Sequence, residues 1–131
     1  MKKDIEIPEV TGVFVAAIRE IHSEYKTNDW NVYIVNEQDI PIEMVLIVSR
    51  GYEKHLETSK MRHKLAQLPP KSFAKVEFLL DDVLALNNEF QVTYFADNKM
   101  YDKKFIFRKN TINMNALRAI PLVGKKGVMA N

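Results

Sequence analysis

The sequence predicts an all-β domain, an antiparallel β-sandwich of about seven strands. Several short segments alternate apolar with polar residues, which is the period-2 pattern of half-buried strands. Turn-forming residues separate these segments, and the chain lacks the repeated strand-helix alternation of a parallel α/β sheet. Because five strands closed on themselves would use the same pattern, a small barrel of the oligonucleotide-binding kind is the alternative.

The bulk composition predicts a single globular domain. The chain has 131 residues, of which 47% are hydrophobic and 27% are charged. A domain of this length buries enough surface to fold without disulfides or a structural metal. We therefore expect residues 1–131 to form one domain, with residues 1–9 and 121–131 as candidate mobile termini.

The first three strands are predicted within residues 13–21 and 29–52. The first segment has the β-branched and aromatic start that is typical of a strand. In the second segment, Trp30 begins a period-2 alternation, residues 36–39 supply a polar turn, and Pro41 opens the next strand. This arrangement predicts a β-hairpin.

A charged segment and a further strand follow. Residues 51–67 are polar and are expected to form a long excursion with a short edge strand near residues 61–65. Pro69 and Pro70 then form a stiff corner, because each proline fixes its own φ and restricts the preceding residue. The next strand is expected over residues 73–80. Its polar face is expected to carry Lys75 and Glu77.

A second hairpin and a short helical segment complete the prediction. Residues 90–94 and 100–109 alternate as strands around a turn at residues 96–99. Residues 111–120 predict one to three helical turns, with Thr111 as the cap.

Two resemblances add to this pattern. Trp30 in an early strand, the Leu68-Pro69-Pro70 corner and the spacing of Leu86, Phe90 and Tyr94 resemble the immunoglobulin-like and fibronectin type III sandwich over residues 10–109. The resemblance implies an immunoglobulin-like fold, although the chain has no cysteine pair and has Phe90 at the corner tyrosine position. It leaves the function open.

Over nearly its full length the chain also resembles a family of short uncharacterised bacterial proteins, some of them labelled phenylalanyl-tRNA synthetase alpha subunit-like. The label implies a link to tRNA. A class II synthetase catalytic domain is much longer and has arginine-bearing motifs that bind ATP. None of these motifs matches this chain, so no catalytic residue is assigned by the resemblance.

The sequence shows no catalytic, cofactor or metal signature. It contains no cysteine, its serines lie in no G-x-S-x-G elbow, and its four glycines form no phosphate-binding loop. The adjacent carboxylates Asp81-Asp82 are typical of a turn rather than of a paired acid-base site. The nearest approach to a metal cluster matches no zinc signature. It consists of Glu53, His55, Glu57 and His63. We therefore expect neither an enzyme nor a bound cofactor.

Positive charge is concentrated in two regions. The formal net charge is only +2, but no acidic residue follows Asp102, and a second basic region precedes the proline corner. These regions supply the candidate residues for contact with a partner. They are Lys99, Lys103, Lys104, Arg108, Lys60, Arg62 and Lys64.

Three functions are compatible with these observations. The leading hypothesis is a non-enzymatic module that binds a protein partner or self-associates through an exposed sheet face or edge. A basic RNA-binding or tRNA-binding accessory protein is the alternative, with strand aromatics as a stacking platform. The platform residues would be Tyr33, Tyr94, Phe95, Tyr101, Phe105 and Phe107. A ligand-binding or enzymatic sandwich is the third, and it requires an apolar pocket with convergent polar groups. The composition predicts a cytoplasmic protein that contacts no membrane.

Overall fold

The computed structural model describes residues 8–131, which form two antiparallel sheets arranged as a β-sandwich. The sheets are not closed into a barrel, so the sandwich prediction is confirmed and the barrel alternative is wrong. The strands are β1 (Val13–Ile21), β2 (Asn28–Asn36), β3 (Ile42–Glu53), β4 (Leu56–Glu57), β5 (Met61–Leu68), β6 (Ser72–Leu79), β7 (Asn87–Ala96), β8 (Lys99–Phe107), β9 (Arg118–Ala119) and β10 (Lys126–Met129).

The chain crosses repeatedly between the two sheets. The first sheet has the order β6-β2-β1-β10-β9. In the second sheet, β3 pairs with β7 on one side and with β4 and β5 on the other, and β8 pairs with β7 at the far edge. The alternate residues of each strand that point between the sheets form the main core. Its largest fully buried side chains are Phe90, Tyr94, Phe105 and Phe107.

The predicted hairpin over residues 29–52 is wrong, because its two strands belong to different sheets. β2 pairs with β1 and β6, whereas β3 pairs with β4, β5 and β7. The fully buried side chain of Asn36 stabilises the crossing, since its Nδ2 donates to the carbonyl oxygens of Ile40 at 2.9 Å and Pro69 at 3.0 Å. The Asn36 amide thus joins this crossing to the proline corner. A pattern of neighbouring residues does not predict a contact between residues so far apart in the chain.

The second hairpin is confirmed. β7 and β8 pair in continuous register from Asn88 opposite Phe107 to Ala96 opposite Lys99. The turn between them has two consecutive residues with positive φ, Asp97 at 51° and Asn98 at 62°, as a type I′ hairpin turn requires. The edge strand predicted near residues 61–65 is also confirmed, as the longer β5.

The C-terminal region has less helix and more strand pairing than the sequence predicted. The predicted helical segment is reduced to a single 3₁₀ turn, Met114–Ala116, and Asn113 rather than Thr111 caps it through the N–H of Asn115. Within residues 121–131, a predicted mobile terminus, β10 pairs with β1, and Asn131 exchanges two backbone hydrogen bonds with Ile106 of β8. Of the other predicted mobile terminus, residues 1–7 lie outside the described residues.

The outer face of the first sheet is covered by the chain itself at β1 and β2, whereas Phe73 and Phe78 of β6 stay exposed. After β9 the chain turns back over this face and brings Ile120 and Val123 against β1 and β2. Ile18 and Val35 are fully buried there, although they point away from the main core. We call this surface the covered face. Its apolar residues are Phe14, Ala16, Ile18, Tyr33, Val35 and Met129.

Candidate functional site

All seven candidate contact residues are exposed, but they do not form one surface. Lys103 and Lys104 are neighbours on β8, and successive residues of a strand point to opposite faces. The ammonium of Lys103 lies 4.7 Å from the centroid of the Phe105 ring, on the inward-pointing side of the strand. Lys104 lies on the outer side, opposite Gln91. Lys60, Lys99 and Arg108 lie at or just beyond strand ends.

Three of the candidates share the outer face of the second sheet. The strand register places Arg62 opposite Val48, Val48 opposite Gln91, and Gln91 opposite Lys104. Arg62 and Lys104 are therefore separated by three strand spacings, about 14 Å. We call this surface the open face. Its residues are Leu46, Val48, Arg50, Arg62, Lys64, Glu89, Gln91, Thr93, Asp102, Lys104 and Ile106.

The open face carries three half-buried apolar side chains, of which two are neighbours on β3. Leu46, Val48 and Ile106 are of intermediate exposure and belong to neither of the two core clusters formed by the described residues. Lys64 and Arg62 of β5 lie opposite Leu46 and Val48 of β3. Ile106 lies on β8 with Lys104, and the strand between, β7, points polar side chains outward. An apolar pair beside two cations is complementary to an extended chain that carries carboxylates and apolar side chains.

Part of the positive charge of the open face is neutralised internally. Arg50 donates through Nε to Glu89 at 3.3 Å and through NH1 to Glu57 at 3.1 Å. Its guanidinium also lies 4.4 Å from the centroid of the Tyr52 ring. The ammonium of Lys104 is 3.7 Å from the carboxylate of Glu89. Arg62 and Lys64 make no salt bridge with the described residues, so they are the cations most accessible to a partner.

The predicted aromatic stacking platform does not assemble. Tyr94, Phe105 and Phe107 are buried in the main core, and Tyr101 stacks on Tyr94 with ring centroids 5.1 Å apart. The other two platform residues, Tyr33 and Phe95, lie on different sheets. Of the six platform residues only Phe95 is exposed, at 38%, whereas single-strand binders stack successive bases on several exposed aromatic faces.

A carboxylate at the margin of the covered face has three hydrogen-bond donors. Glu20 accepts from Asn31 Nδ2 at 2.8 Å, from the Tyr33 hydroxyl at 2.9 Å and from Lys125. Partial burial alone would raise the pKa of Glu20, but these three donors and the charge of Lys125 bring that pKa below its ordinary value. Burial, and then the bond to Glu20, raise the pKa of Tyr33 to about 12. This cluster anchors the segment before β10 to β1 and β2.

A second polar cluster, which the sequence pattern did not predict, lies between the two sheets. Glu77 Oε1 accepts a hydrogen bond from Ser49 Oγ at 2.7 Å and lies 2.8 Å from His63 Nε2. The three residues come from β6, β3 and β5. A β-bulge brings Glu77 here, since the register shifts so that Val32 faces Glu77 while Tyr33 faces Lys75.

The bulge overturns the predicted pattern of β6. Without it, Lys75 and Glu77 would share the polar outer face, and Phe78 and Leu80 would point into the core. With it, Glu77 points inward, and Phe78 and Leu80 are exposed by 47% and 58%. Period-2 counting assumes an unbroken pleat, so one inserted residue reverses every position after it.

The cluster borders an open cavity of about 320 Å³, which we call the inter-edge cleft. It lies where the β4–β5 connection meets the 3₁₀ turn Asp81–Ala85. The floor includes the fully buried Phe90, and the rim includes Met61, Phe78 and Leu80. The side chains of Ser49 and Glu77 are hydrogen-bonded to each other in its wall.

The order of contacts in the cluster differs from that of a nucleophilic triad. In such a triad, histidine lies between the serine hydroxyl and the carboxylate and removes the proton from serine. Here the carboxylate of Glu77 lies between Ser49 and His63. The arrangement therefore orients a carboxylate but does not present Ser49 to a histidine base.

The histidines considered as metal ligands are not brought together. His63 contacts Glu77, whereas His55 is exposed in the connection between β3 and β4. Across residues 8–131, no group of three or more histidine, cysteine, aspartate or glutamate side chains has the geometry to hold a metal ion.

In the same part of the chain, no helix combines the length and apolarity needed to cross a membrane. The chain matches no protein-family model, and no curated protein matches it.

Proposed function

We propose that this protein is a non-enzymatic interaction module whose open face binds an extended acidic segment of a partner protein. The observation that carries the proposal is the half-buried apolar pair Leu46 and Val48 on β3, beside the exposed cations Lys64 and Arg62 of β5. The other sheet buries the β1–β2 part of its outer face under its own chain. Apolar side chains next to exposed cations on a sheet face support a protein partner.

The strand order supports an immunoglobulin-like assignment as part of this proposal. One sheet contains β1, β2 and β6, and the other contains β5, β3, β7 and β8. Immunoglobulin-like sandwiches divide their early and late strands between two sheets in this way and use exposed faces and loops for recognition. The absence of cysteine is consistent with a cytoplasmic location, which remains part of the proposal.

RNA is the competing partner, since phosphates would also bind Arg62, Lys64 and Lys104. Two observations favour protein over RNA. Only one of the six predicted stacking aromatics, Phe95, is exposed, and carboxylates from Glu89 and Asp102 lie among the cations of the open face. Both features weaken binding of a polyanion whose bases need exposed aromatic surfaces.

The proposal is tested by fluorescence anisotropy with two labelled probes, a short extended peptide that alternates glutamate with valine and a short oligouridylate. The first variant combines Arg62→Glu, Lys64→Glu and Lys104→Glu. The matched control combines Lys75→Glu, Arg118→Glu and Lys126→Glu, which makes the same charge change at exposed positions of the first sheet. Circular dichroism and thermal unfolding verify that both variants fold.

We expect the wild type and the control to bind the peptide, and the open-face variant to lose roughly tenfold or more in affinity. Absence of peptide binding by the wild type at low salt would refute the proposal. Tighter binding of oligouridylate than of peptide, lost in the open-face variant with a smaller salt dependence, would replace it with the RNA alternative.

A further inference from the structure

The inter-edge cleft is a second candidate site, which shares only Arg50 with the open face. It opens at an end of the sandwich between the sheets, and its volume of about 320 Å³ is that of a small-ligand pocket. Its walls are largely apolar, with Phe90 at the floor and Leu79 in the wall. Such a cavity suits the hydrocarbon or aromatic part of a small molecule.

The polar groups of the cleft favour a cation. Glu77 lines the cleft with a side chain that is only 13% exposed, and Asp82 contributes a second carboxylate to the wall. Arg50 also borders the cleft, but its guanidinium is bonded to Glu57 and Glu89. The cleft therefore has acidic groups whose charge is not offset by that arginine.

Glu77 is oriented for binding. Both of its short contacts, to Ser49 Oγ and His63 Nε2, are made by Oε1. Oε2 receives no hydrogen bond from the described residues, and Glu77 lines the cleft. Because Ser49 is buried and hydrogen-bonded, it fixes the carboxylate without competing for Oε2.

We propose that the inter-edge cleft binds an ammonium or guanidinium group attached to a short apolar body, with Glu77 Oε2 as the counter-ion. The apolar body lies against Leu79 and Phe90, and the cation forms a charge-assisted hydrogen bond with Glu77. The same chemistry is found in a free amine and in a lysine or arginine side chain of a peptide.

The test is an NMR titration of the full chain with 3-phenylpropylamine and, in parallel, with 3-phenylpropionate, which has a similar apolar body but the opposite charge. We expect saturable shifts at cleft residues with the amine and far weaker binding of the carboxylate. Glu77→Gln preserves the size of the side chain and should weaken amine binding by roughly 10- to 100-fold, as expected for the loss of one charge-assisted hydrogen bond. Glu24→Gln, at an exposed position outside the cleft, should leave the affinity unchanged.

Equal binding of the amine and the carboxylate, or an unchanged amine affinity in Glu77→Gln, would overturn the proposal. A blocked phenylalanyl-lysine amide distinguishes the source of the cation. Tighter binding of this dipeptide than of the free amine supports a peptide side chain, and the reverse order supports a small metabolite. Because the open face and its cations are unchanged in Glu77→Gln, failure here leaves the proposed protein contact intact.

Discussion

The outer faces of the two sheets show how similar strands can have opposite roles. On the covered face, Ile18 and Val35 are fully buried because Ile120 and Val123 lie against them. On the open face, Leu46, Val48 and Ile106 stay half-buried, and charged side chains from β5 and β8 flank them. Apolar residues on an outer face therefore do not reveal a binding surface until the rest of the chain has been placed.

The largest expected difference between the faces is in their contribution to stability. Ile18→Ala removes a side chain packed within the covered face and should lower the free energy of unfolding by about 3 kcal/mol. Leu46→Ala removes a side chain of similar size from the open face and should cost about 1 kcal/mol or less. Urea unfolding of both variants measures the two values. Equal losses would show that the open face is covered in solution.

The pairing of β10 with β1, which holds the covering segment in place, is tested at Gly127. A Cβ here would overlap the carbonyl oxygen of Ala17 and lie 2.8 Å from Cδ1 of Ile18. Gly127→Ala should therefore push β10 away from β1 and destabilise the domain by about 2 kcal/mol. Gly124 is the control, since its Cβ would meet nothing within 4 Å and only its φ of 75° opposes substitution. Thermal unfolding should show a smaller loss for Gly124→Ala, and the opposite order would exclude close packing of β10.

The contact between Glu20 and Lys125, which holds the covering segment against β1, is tested by changing Glu20. Glu20→Gln should destabilise the domain by about 1 kcal/mol at neutral pH, because it removes a carboxylate that accepts from Asn31, Tyr33 and Lys125. The pKa of Glu20 is lowered in the folded state. Its contribution is therefore present above the unfolded value of 4.5 and is lost as the pH falls through the lower folded pKa. Denaturant unfolding from pH 7 to 3 should show the two proteins converging in acid, and a constant difference would contradict this role.

The smallest effect is expected at a tyrosine of the main core. The Tyr94 hydroxyl is buried and has no hydrogen-bond partner among the described residues. Tyr94→Phe should therefore be neutral or stabilise the domain by up to about 1 kcal/mol. Tyr33→Phe should destabilise it, because the Tyr33 hydroxyl donates to Glu20. A clear loss of stability in Tyr94→Phe, measured by urea unfolding, would indicate a partner for its hydroxyl.

Alkaline titration gives an independent check on Tyr94. Burial, and then the nearby Tyr101, raise its pKa to about 12. The stability that depends on the neutral hydroxyl is therefore present below the ordinary tyrosine pKa of 10.0 and is lost as the pH rises toward 12. Tyr94→Phe should show a smaller alkaline loss than the wild type.

The sequence predicted the elements whose signals are local. The β7–β8 turn is an example, because Asp97 and Asn98 tolerate the positive φ of a tight turn. The edge strand β5 is another, since basic residues at alternate positions are typical of an edge protected against pairing with other chains. The exposure of Arg62, Lys64 and Lys104 also followed from their chemistry.

The candidate site was less predictable, because it depends on where strands lie relative to one another. Ser49 and His63 were each considered for chemistry, but nothing in their spacing placed them on either side of Glu77. The bulge opposite Tyr33 decides that Glu77 points inward, and strand alternation gives no sign of it. Two neighbouring lysines, Lys103 and Lys104, were grouped as one surface although strand geometry separates their side chains.

By itself, the sequence determined the all-β class, the second hairpin and the charged edge strand, since apolar alternation and turn chemistry act over a few residues. Only the tertiary structure decided that β2 and β3 lie in different sheets, that the C-terminal segment covers one outer face, and that Glu77 lies in a cleft. These features depend on contacts between residues far apart in the chain, such as Asn36 with Pro69 and Glu20 with Lys125. Whether such contacts form depends on the free energy of the whole fold, which a pattern of neighbouring residues does not contain.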